Sequence, residues 1–317
     1  MVVMLVRRAL SSLSSIVILT ILVFGVSELT PGGPASTILG LHVTEGAVKA
    51  LNASLGLDRP FFLQYLDWWG HVARGNLGYS YTQNQSVTDL IGQYLGNTFA
   101  LDLVALLLAV LLSLIIGMVQ GAMEGTWVST LITVVQFSLY AMPIFWLGLI
   151  LISVFSVSLN WFPASGAQDL AANGFDLGSY SRHLVLPVIT LALVFISFFS
   201  RYMGAAARLE FRQVYVTVAR AKGAAPLRIA TLHVLRNAVR PLITQIGLFL
   251  PWIFAGGVVV EQVFNFPGLG YLLWQSALQH DYPVLTMIVL MIGVFTIIGN
   301  LLADIINGLL DKRVQYA

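Results

Sequence analysis

The sequence of 317 residues contains no cysteine and unusually little charge. Without cysteine, the chain can form no disulfide, no thiolate metal site and no cysteine nucleophile. Charged residues make up 9% of the chain, whereas about 25% is usual in soluble domains. A surface so poor in charge is poorly soluble in water, and 58% of the residues are apolar. The composition therefore indicates an integral membrane protein, and the small net charge does not favour a nucleic-acid partner.

Several patterns that would indicate catalysis or metal binding are also missing. The five histidines are scattered, with no two at the spacing of roughly three to five residues that is typical of metal ligands. No GxxxxGK[ST] loop occurs that would hold the phosphates of ATP. A membrane hydrolase would need a serine and a histidine together at membrane depth, and no histidine lies near the centre of an apolar stretch. We therefore expect neither an enzyme nor a cofactor or metal site in this chain.

Six apolar stretches are long enough to cross a membrane, which takes roughly 20 helical residues. They predict spans at 9–29, 99–121, 128–159, 184–207, 242–264 and 284–310. The third stretch is overlong and contains Pro143, which predicts a kink or a tilt. Pro187, Pro251 and the glycines of IFAGGVVVEQ also favour bent helices. The first stretch lacks a clear cleavage site, so we interpret it as an uncleaved anchor.

The basic residues predict the orientation of these spans. Six spans place both termini on one side, and a cytoplasmic location puts 12 of the 16 lysines and arginines inside. Eight of these basic residues lie between Arg201 and Arg240. The cluster could simply hold a loop in the cytoplasm, which would explain its charge but not the order of residues within it.

Within this cluster the sequence predicts two short helices separated by a glycine. QVYVTVARAK is typical of a helix that ends at Gly223, because glycine adopts the left-handed conformation that terminates helices. Pro226 suits the first turn of a second helix, PLRIATLHVLRNAV. Arg228, Arg236 and Arg240 are four or eight residues apart, which predicts that they share one face of it. A unit of this kind, rich in small side chains, lets another protein approach its backbone closely.

The segments ARAKG and RNAVRP resemble the EAA-type coupling loop of ABC importer permeases, in the dipeptide, oligopeptide and nickel branch. Further segments are similar to that branch in the same order along almost the whole chain. They are LGLDRPFFLQYLDWWGHVARGNLGYS, MPIFWLGLILISVFS with LNWFPASG, RHLVLPVITLAL, VVVEQVFNFPGLGYLL and DYPVLTMIVLMIGVFTIIGNLLADIINGLLDKR. The resemblance implies an all-α integral membrane protein with the type I ABC importer permease fold. This fold would have six transmembrane helices and an external segment between the first two.

The same resemblance implies a domain organisation, a location and a set of partners. An anchor helix and external segment would occupy 1–93, the permease core 94–311 and a short cytoplasmic tail 312–317. The chain would lie in the inner membrane of a bacterial or archaeal cell, with both termini in the cytoplasm. Its partners would be a second, homologous permease in a heterodimer, two ATPase subunits that bind ATP, and an external solute-binding protein.

The expected cargo is a short peptide, because spans without strong charges form a cavity that tolerates varied side chains. Nickel chelates, glutathione, opines and oligosaccharides are alternatives within the same architecture. A secondary transporter that works without ATP is the alternative from a different class. It would carry inverted repeats around an ion site at the membrane midplane, and the sequence has no internal repeat.

In permeases of this branch the coupling loop docks in a groove on an ATPase, and the resemblance assigns that role to residues 208–241. The residues that match the motif are Ala219, Arg220, Ala221, Lys222, Gly223, Arg236, Asn237 and Pro241. Small residues suit close contact between the loop and the groove, and we expect Arg220 and Lys222 to pair with acidic residues on the ATPase. The sequence departs from the pattern of the branch at Val214, Thr217, Val218 and Arg240.

Three acids lie near the predicted spans: Asp102, Glu261 and Asp304. An acid within a membrane is by default a functional candidate. All three, however, lie within a few turns of a predicted span end, where solvation or capping would account for them. Glu261, in VVVEQVF near the predicted outer mouth, is the candidate for an outer gate.

An aromatic group precedes the second predicted span, at Phe61, Phe62, Tyr65, Trp68 and Trp69. Aromatic side chains gather at the interface between membrane and water. We therefore expect an interfacial helix in the outer leaflet, and contact with a docked binding protein is the alternative interpretation.

Overall fold

The computed structural model describes residues 13–25, 58–169, 174–249 and 257–310, with side chains of the last helix up to Leu302, and the single residues 46 and 53. Every regular element in these ranges is helical, and the extended pairing they contain is one isolated bridge between Tyr79 and Ser86. The helices, numbered in chain order, are α1 (Leu13–Gly25), α2 (Phe61–Ala73), α3 (Val87–Ala122), α4 (Trp127–Ala141), α5 (Ile144–Leu151), α6 (Leu177–Phe211), α7 (Val214–Ala221), α8 (Pro226–Arg228), α9 (Leu235–Phe249), α10 (Val258–Val263), α11 (Leu269–Leu278) and α12 (Tyr282–Leu310). Two π-helical segments continue α5 and α8: π1 (Ile152–Ser158) and π2 (Ile229–Val234).

Three helices are long and apolar enough to cross a membrane by themselves: α3, α6 and α12. The third predicted span consists of two helices, α4 and α5 with π1, which are bent by 105° at a short break. Pro143 lies in that break, and Met142 before it has an extended backbone, as expected for a residue that precedes proline. The kink predicted at Pro143 is therefore confirmed. By contrast, α6 continues through Pro187 as one helix.

The ends of two helices differ from the predicted spans. α3 begins at Val87, twelve residues before the predicted start of the second span. The Ser86 hydroxyl accepts a hydrogen bond from the N–H of Asp89 and donates one to the Asp89 carboxylate, so a local cap starts the helix before the apolar stretch begins. α9 runs through Pro241 to Phe249, so it joins the second loop helix to the start of the fifth predicted span. Pro251 lies outside the described residues.

The chain clusters into two compact units. The first comprises 1–98 and 267–297, and the second comprises 99–266 and 298–317. In the first unit, α1 and α2 are joined by an aromatic cluster of Phe24, Phe61, Tyr65, Trp68 and Trp69. The Tyr65 hydroxyl also bonds to the Thr20 hydroxyl, 2.8 Å away. Three aromatic residues of α2 thus contact Phe24 of α1: Phe61, Tyr65 and Trp68. Phe62 is exposed, as are Leu63 and Leu66 beside it.

Asp281 holds the turn at 80–82 against the start of α12 in this first unit. Its buried carboxylate accepts hydrogen bonds from the hydroxyls of Ser80 and Thr82 and from the N–H groups of Tyr81 and Thr82. Burial, together with the nearby Asp281 charge, raises the pKa of Tyr81 to about 12. These bonds replace the water that the carboxylate loses on burial. Local sequence patterns do not reveal this contact, because Ser80 is 201 residues away from Asp281 along the chain.

In the second unit, α3 and α6 cross at very short range. A Cβ atom on Gly117 would lie 2.5 Å from the Cβ of Met203, and one on Gly121 would lie 2.5 Å from the Cβ of Ala207. The two glycines are four residues apart and so lie on the same face of α3. Small residues at this spacing let two membrane helices approach closely enough for their backbones to touch.

We predict that Gly121→Ala destabilises the protein by about 1–3 kcal/mol, because the added methyl group overpacks the contact with α6. Gly96→Ala is the matched control in the same helix, since a Cβ at Gly96 would meet nothing within 4 Å. The control should be neutral or slightly stabilising, because alanine favours a helix more than glycine does. The midpoint of thermal unfolding in detergent measures both effects, and equal midpoints for the two variants would contradict the prediction.

Candidate functional site

The predicted coupling loop begins with α7, which ends in a Schellman motif at Gly223. Gly223 has φ +77°, and its N–H donates to the carbonyl of Arg220 over 2.9 Å. The N–H of Ala224 donates to the carbonyl of Ala219 over 3.1 Å. These two bonds satisfy carbonyls that the helix end would otherwise leave open. The predicted termination at Gly223 is therefore confirmed. A Cβ on Gly223 would meet nothing within 4 Å, so this chain needs glycine there for its backbone conformation and not for space.

The second loop helix begins at Pro226, as predicted, but it is not a uniform α-helix. Residues Ile229–Val234 form π2. In a π-helix each backbone hydrogen bond joins residues roughly five positions apart, one more than in an α-helix. The repeat of four residues that was expected to align Arg228 with Arg236 is interrupted by this turn. Arg236 and Arg240 remain one turn apart within α9.

Buried apolar residues attach the loop to the end of α6. Val216, Ile229, Val234 and Ala238 belong to the same buried cluster as the α6 residues Phe199, Met203 and Ala207. At the end of α6, Arg212 also pairs with Glu124, with 2.9 Å between Nη2 and Oε2. The loop helices are thus packed on the helix from which they emerge.

A polar brace joins the three segments of this region. The Tyr215 hydroxyl donates to Oε2 of Glu210 over 2.6 Å and accepts a hydrogen bond from Nδ2 of Asn237 over 3.4 Å. Burial and the hydrogen bond to Glu210 raise the pKa of Tyr215, which keeps its hydroxyl proton available for donation. Asn237, which sequence analysis assigned to the coupling motif, therefore connects α9 to α7. No sequence motif marks Tyr215 and Glu210, because their role depends on this packing.

The remaining motif residues form an exposed surface. Arg220, Ala221, Lys222, Gly223, Arg236 and Pro241 are exposed, and Ala219 and Asn237 are half-buried. Large apolar side chains lie on the same loop segments, including Val214 at 77% and Leu227 at 75% exposure, with Val218 and Leu232 also exposed. Exposed apolar residues grouped with basic ones are typical of a surface that binds another protein.

Two acids are buried elsewhere in the second unit. Asp102 is 1% exposed and Glu261 is fully buried. Both oxygens of Asp102 lack a hydrogen-bond partner among the described residues. A Cβ on Gly257 would lie 3.0 Å from Oδ1 of Asp102 and 3.4 Å from Oε1 of Glu261, so both carboxyl groups flank the same backbone position.

Solvation at a span end was therefore the wrong expectation for Asp102 and Glu261, because both are buried. Capping was wrong for Asp102 and stays the prediction for Glu261, which lies in the first turn of α10. Because α3 begins at Val87, Asp102 lies well inside this helix and not near its end. The side chain of Asp304 lies outside the described residues.

Comparison with known proteins identifies the family. Residues 109–316 match the family model described as binding-protein-dependent transport system inner membrane component, and residues 1–102 match the model of the N-terminal region of such components. The chain belongs to this permease family. The resemblance to the dipeptide and oligopeptide branch is confirmed by its relatives.

Three relatives of this permease match nearly their whole length. The oligopeptide transport system permease protein AppB of Bacillus subtilis (strain 168) is 36% identical over 98% of both chains. The di/tripeptide transport system permease protein DppB of Pseudomonas aeruginosa (strain UCBPP-PA14) is 35% identical over 94% of both chains. The glutathione transport system permease protein GsiC of Escherichia coli (strain K12) is 30% identical over 98% of both.

The fold of the permease is also that of a solved structure. A chain of the MetNI methionine ABC transporter in an inward-facing conformation superposes with a TM-score of 0.57. The match covers 70% of this chain and 96% of that one at 16% identity, which establishes the type I ABC importer permease fold. The permease is thus a multi-pass inner membrane component of a binding-protein-dependent transport system.

Proposed function

We propose that this permease forms half of the translocation pathway of an ATP-driven importer of short peptides. It would pair with a second, different permease and couple to two ATPases through the loop over 208–241. The main observation behind this proposal is the exposed helix–glycine–helix surface, which packs on α6. In the proposed topology, six spans place both termini in the cytoplasm and the segment between the first two spans outside.

The proposed coupling depends on how the loop is attached. The buried cluster and the brace at Tyr215 connect the loop to α6, so a force applied to the exposed surface would move α6 as well. Arg220 and Lys222, at the end of α7, would pair with acidic residues of an ATPase. The exposed Val214 and Leu227 would supply apolar contact on the same surface. ATP-driven closure of the ATPases would then shift the spans between inward-open and outward-open states.

Relatives support a peptide as the cargo. AppB and DppB are named for oligopeptides and for di- and tripeptides, and GsiC is named for glutathione. Glutathione is therefore the alternative cargo that a relative supports within the same architecture.

We predict that affinity purification of this permease in mild detergent recovers a second permease species, ATPase subunits and, with added cargo, the solute-binding protein. Calorimetry on that binding protein should detect short peptides. A complex with this permease as its sole permease species would contradict the heterodimer. A binding protein that held nickel chelates and no peptide would contradict the proposed cargo.

We predict that Gly223→Val abolishes most of the stimulation of ATP hydrolysis by loaded binding protein. A left-handed backbone costs roughly 1–2 kcal/mol for a residue with a Cβ, and a β-branched side chain is the least suited to it. This cost corresponds to a loss of roughly tenfold in the population of the docking conformation. ATPase activity of the reconstituted complex, with and without loaded binding protein, measures the effect.

Gly223→Asn is the matched control, because asparagine tolerates the left-handed region and the space around Gly223 is open. The control should retain most of the stimulation, and both variants should insert into the membrane because the spans are unchanged. Near-normal stimulation by Gly223→Val in a correctly assembled complex would place the coupling elsewhere in the chain.

We further propose that Glu261 belongs to an outer gate, together with Asp102. Burying two acids side by side is unfavourable, so an opening that hydrates them would relieve this cost and favour the outward-open state. Glu261→Gln should therefore shift the permease toward the closed state and lower uptake several-fold, equivalent to about 1 kcal/mol of coupling.

Uptake into proteoliposomes, with binding protein saturated, tests the gate. Asp102→Asn should change uptake in the same direction, and Asp169→Asn is the control because its side chain is 66% exposed. Unchanged or faster uptake by both buried variants would argue against the gate.

A further inference from the structure

A cavity of about 410 Å³ lies in the second unit between α3, α4 and α6, apart from the coupling surface and the buried acids. It is lined by Gln120, Thr133, Gln136, Phe137, Arg201, Tyr202, Ala205 and Arg208. Its volume lies within the range of small-molecule pockets. Its lining includes two arginines and no carboxylate, so the cavity is cationic.

Arg201 is the residue that makes this cavity unusual. Its guanidinium group lies 5.0 Å from the ring centroids of both Phe137 and Tyr140. These contacts hold the plane of the group but use none of its five N–H donors. Nη1 is shielded from solvent, and no described residue accepts a hydrogen bond from the group. The remaining donors of Arg201 are left for whatever occupies the cavity.

The polar neighbours of Arg201 are already satisfied by one another. The amides of Gln120 and Gln136 exchange hydrogen bonds of 3.2 Å in both directions, and Gln136 also donates to the Ser200 hydroxyl over 2.8 Å. The acids at the adjacent helix ends are engaged too, since Glu124 pairs with Arg212 and Glu210 accepts from Tyr215. No described side chain therefore neutralises Arg201.

The depth of Arg201 adds to the cost of leaving it unpaired. It lies six residues before the end of the predicted span 184–207, which corresponds to about 9 Å along the helix. A cation at such a position within a span is expensive unless it has a partner, and it marks a functional site by default. A planar guanidinium group pairs best with a planar carboxylate through two parallel hydrogen bonds.

We propose that this cavity binds the free C-terminal carboxylate of a peptide on its way to the cytoplasm, through Arg201. The inference rests on the proposed peptide cargo and adds a recognition site to it. The two arginines supply the charge of the cavity, and the rest of its accessible wall is mostly apolar, which suits a charged peptide terminus flanked by varied side chains. The phosphate of an anionic lipid shares the negative charge, and it is the alternative occupant that the test distinguishes.

The test compares uptake of a tripeptide with uptake of its C-terminal amide, using proteoliposomes of the complete importer in phosphatidylcholine. Arg201→Gln should reduce the carboxylate-to-amide ratio of uptake rates about tenfold, because hydrogen bonds to a charged group are lost. Arg201→Lys keeps the charge without the planar fork and should lie between. Arg182→Gln is the matched control, as the same change in the same helix outside the cavity. The same binding protein serves every variant, so its own preference cancels in the comparison.

Ala205→Trp provides a second variant that leaves Arg201 in place. Ala205 is exposed and lines the cavity, so the larger side chain fills the cavity without entering the packed core. It should reduce the same ratio as Arg201→Gln does. This variant keeps the test decisive if Arg201→Gln fails to assemble.

Three outcomes would overturn the inference. The first is an unchanged ratio for Arg201→Gln and Ala205→Trp in an importer that still takes up peptides, which leaves the proposed function intact. The second is a loss of uptake in Arg201→Gln that depends on added phosphatidylglycerol and is equal for the tripeptide and its amide. That result would assign the cavity to a lipid phosphate. The third is failure of the unmodified importer to take up either peptide, which overturns the proposed function as well.

Discussion

The close contact between α3 and α6 is the interaction on which most of the second unit depends. With glycine at 117 and 121, the two helices approach until a methyl group would not fit between them. This approach brings Gln120 of α3 beside Gly204 of α6, where a Cβ would collide with the Gln120 amide. The same helix α6 then has Arg201 beside the cavity and the predicted coupling loop at its end. Packing at one crossing thus positions both proposed functional surfaces.

Buried polar groups in this protein differ in whether their hydrogen bonds are complete. Asp281 and the Gln120–Gln136 pair have hydrogen-bond partners, so they stabilise the contacts in which they take part. Asp102 and Arg201 each have buried atoms without a hydrogen-bond partner among the described residues. Such groups cost free energy in the resting structure, and in a transporter they are suited to a state in which water or cargo reaches them. This difference separates the structural polar sites from the proposed functional ones.

Much of the architecture could be predicted from local sequence patterns. The end of α7 at Gly223, the start of α8 at Pro226 and the bend at Pro143 each depend on the backbone preferences of one or two residues, and the structure confirms all three. The boundaries of α3 and α9 were less accurate, because hydropathy reports the apolar part of a helix and not its hydrogen-bonded ends. The π2 turn was also not foreseen, and it interrupts the expected alignment of Arg228 with Arg236.

The sequence by itself determined the membrane environment, the family and the helix–glycine–helix form of the loop, because composition, turn chemistry and short motifs are properties of local stretches of chain. Only the tertiary structure decided that Tyr215 and Asn237 meet, that Asp102 lies beside Glu261, and that Arg201 contacts aromatic rings but no acid among the described residues. Each of these pairs is separated by 22 or more residues along the chain. Their contact depends on how whole helices pack, and no local preference of the backbone or of a single side chain encodes that packing.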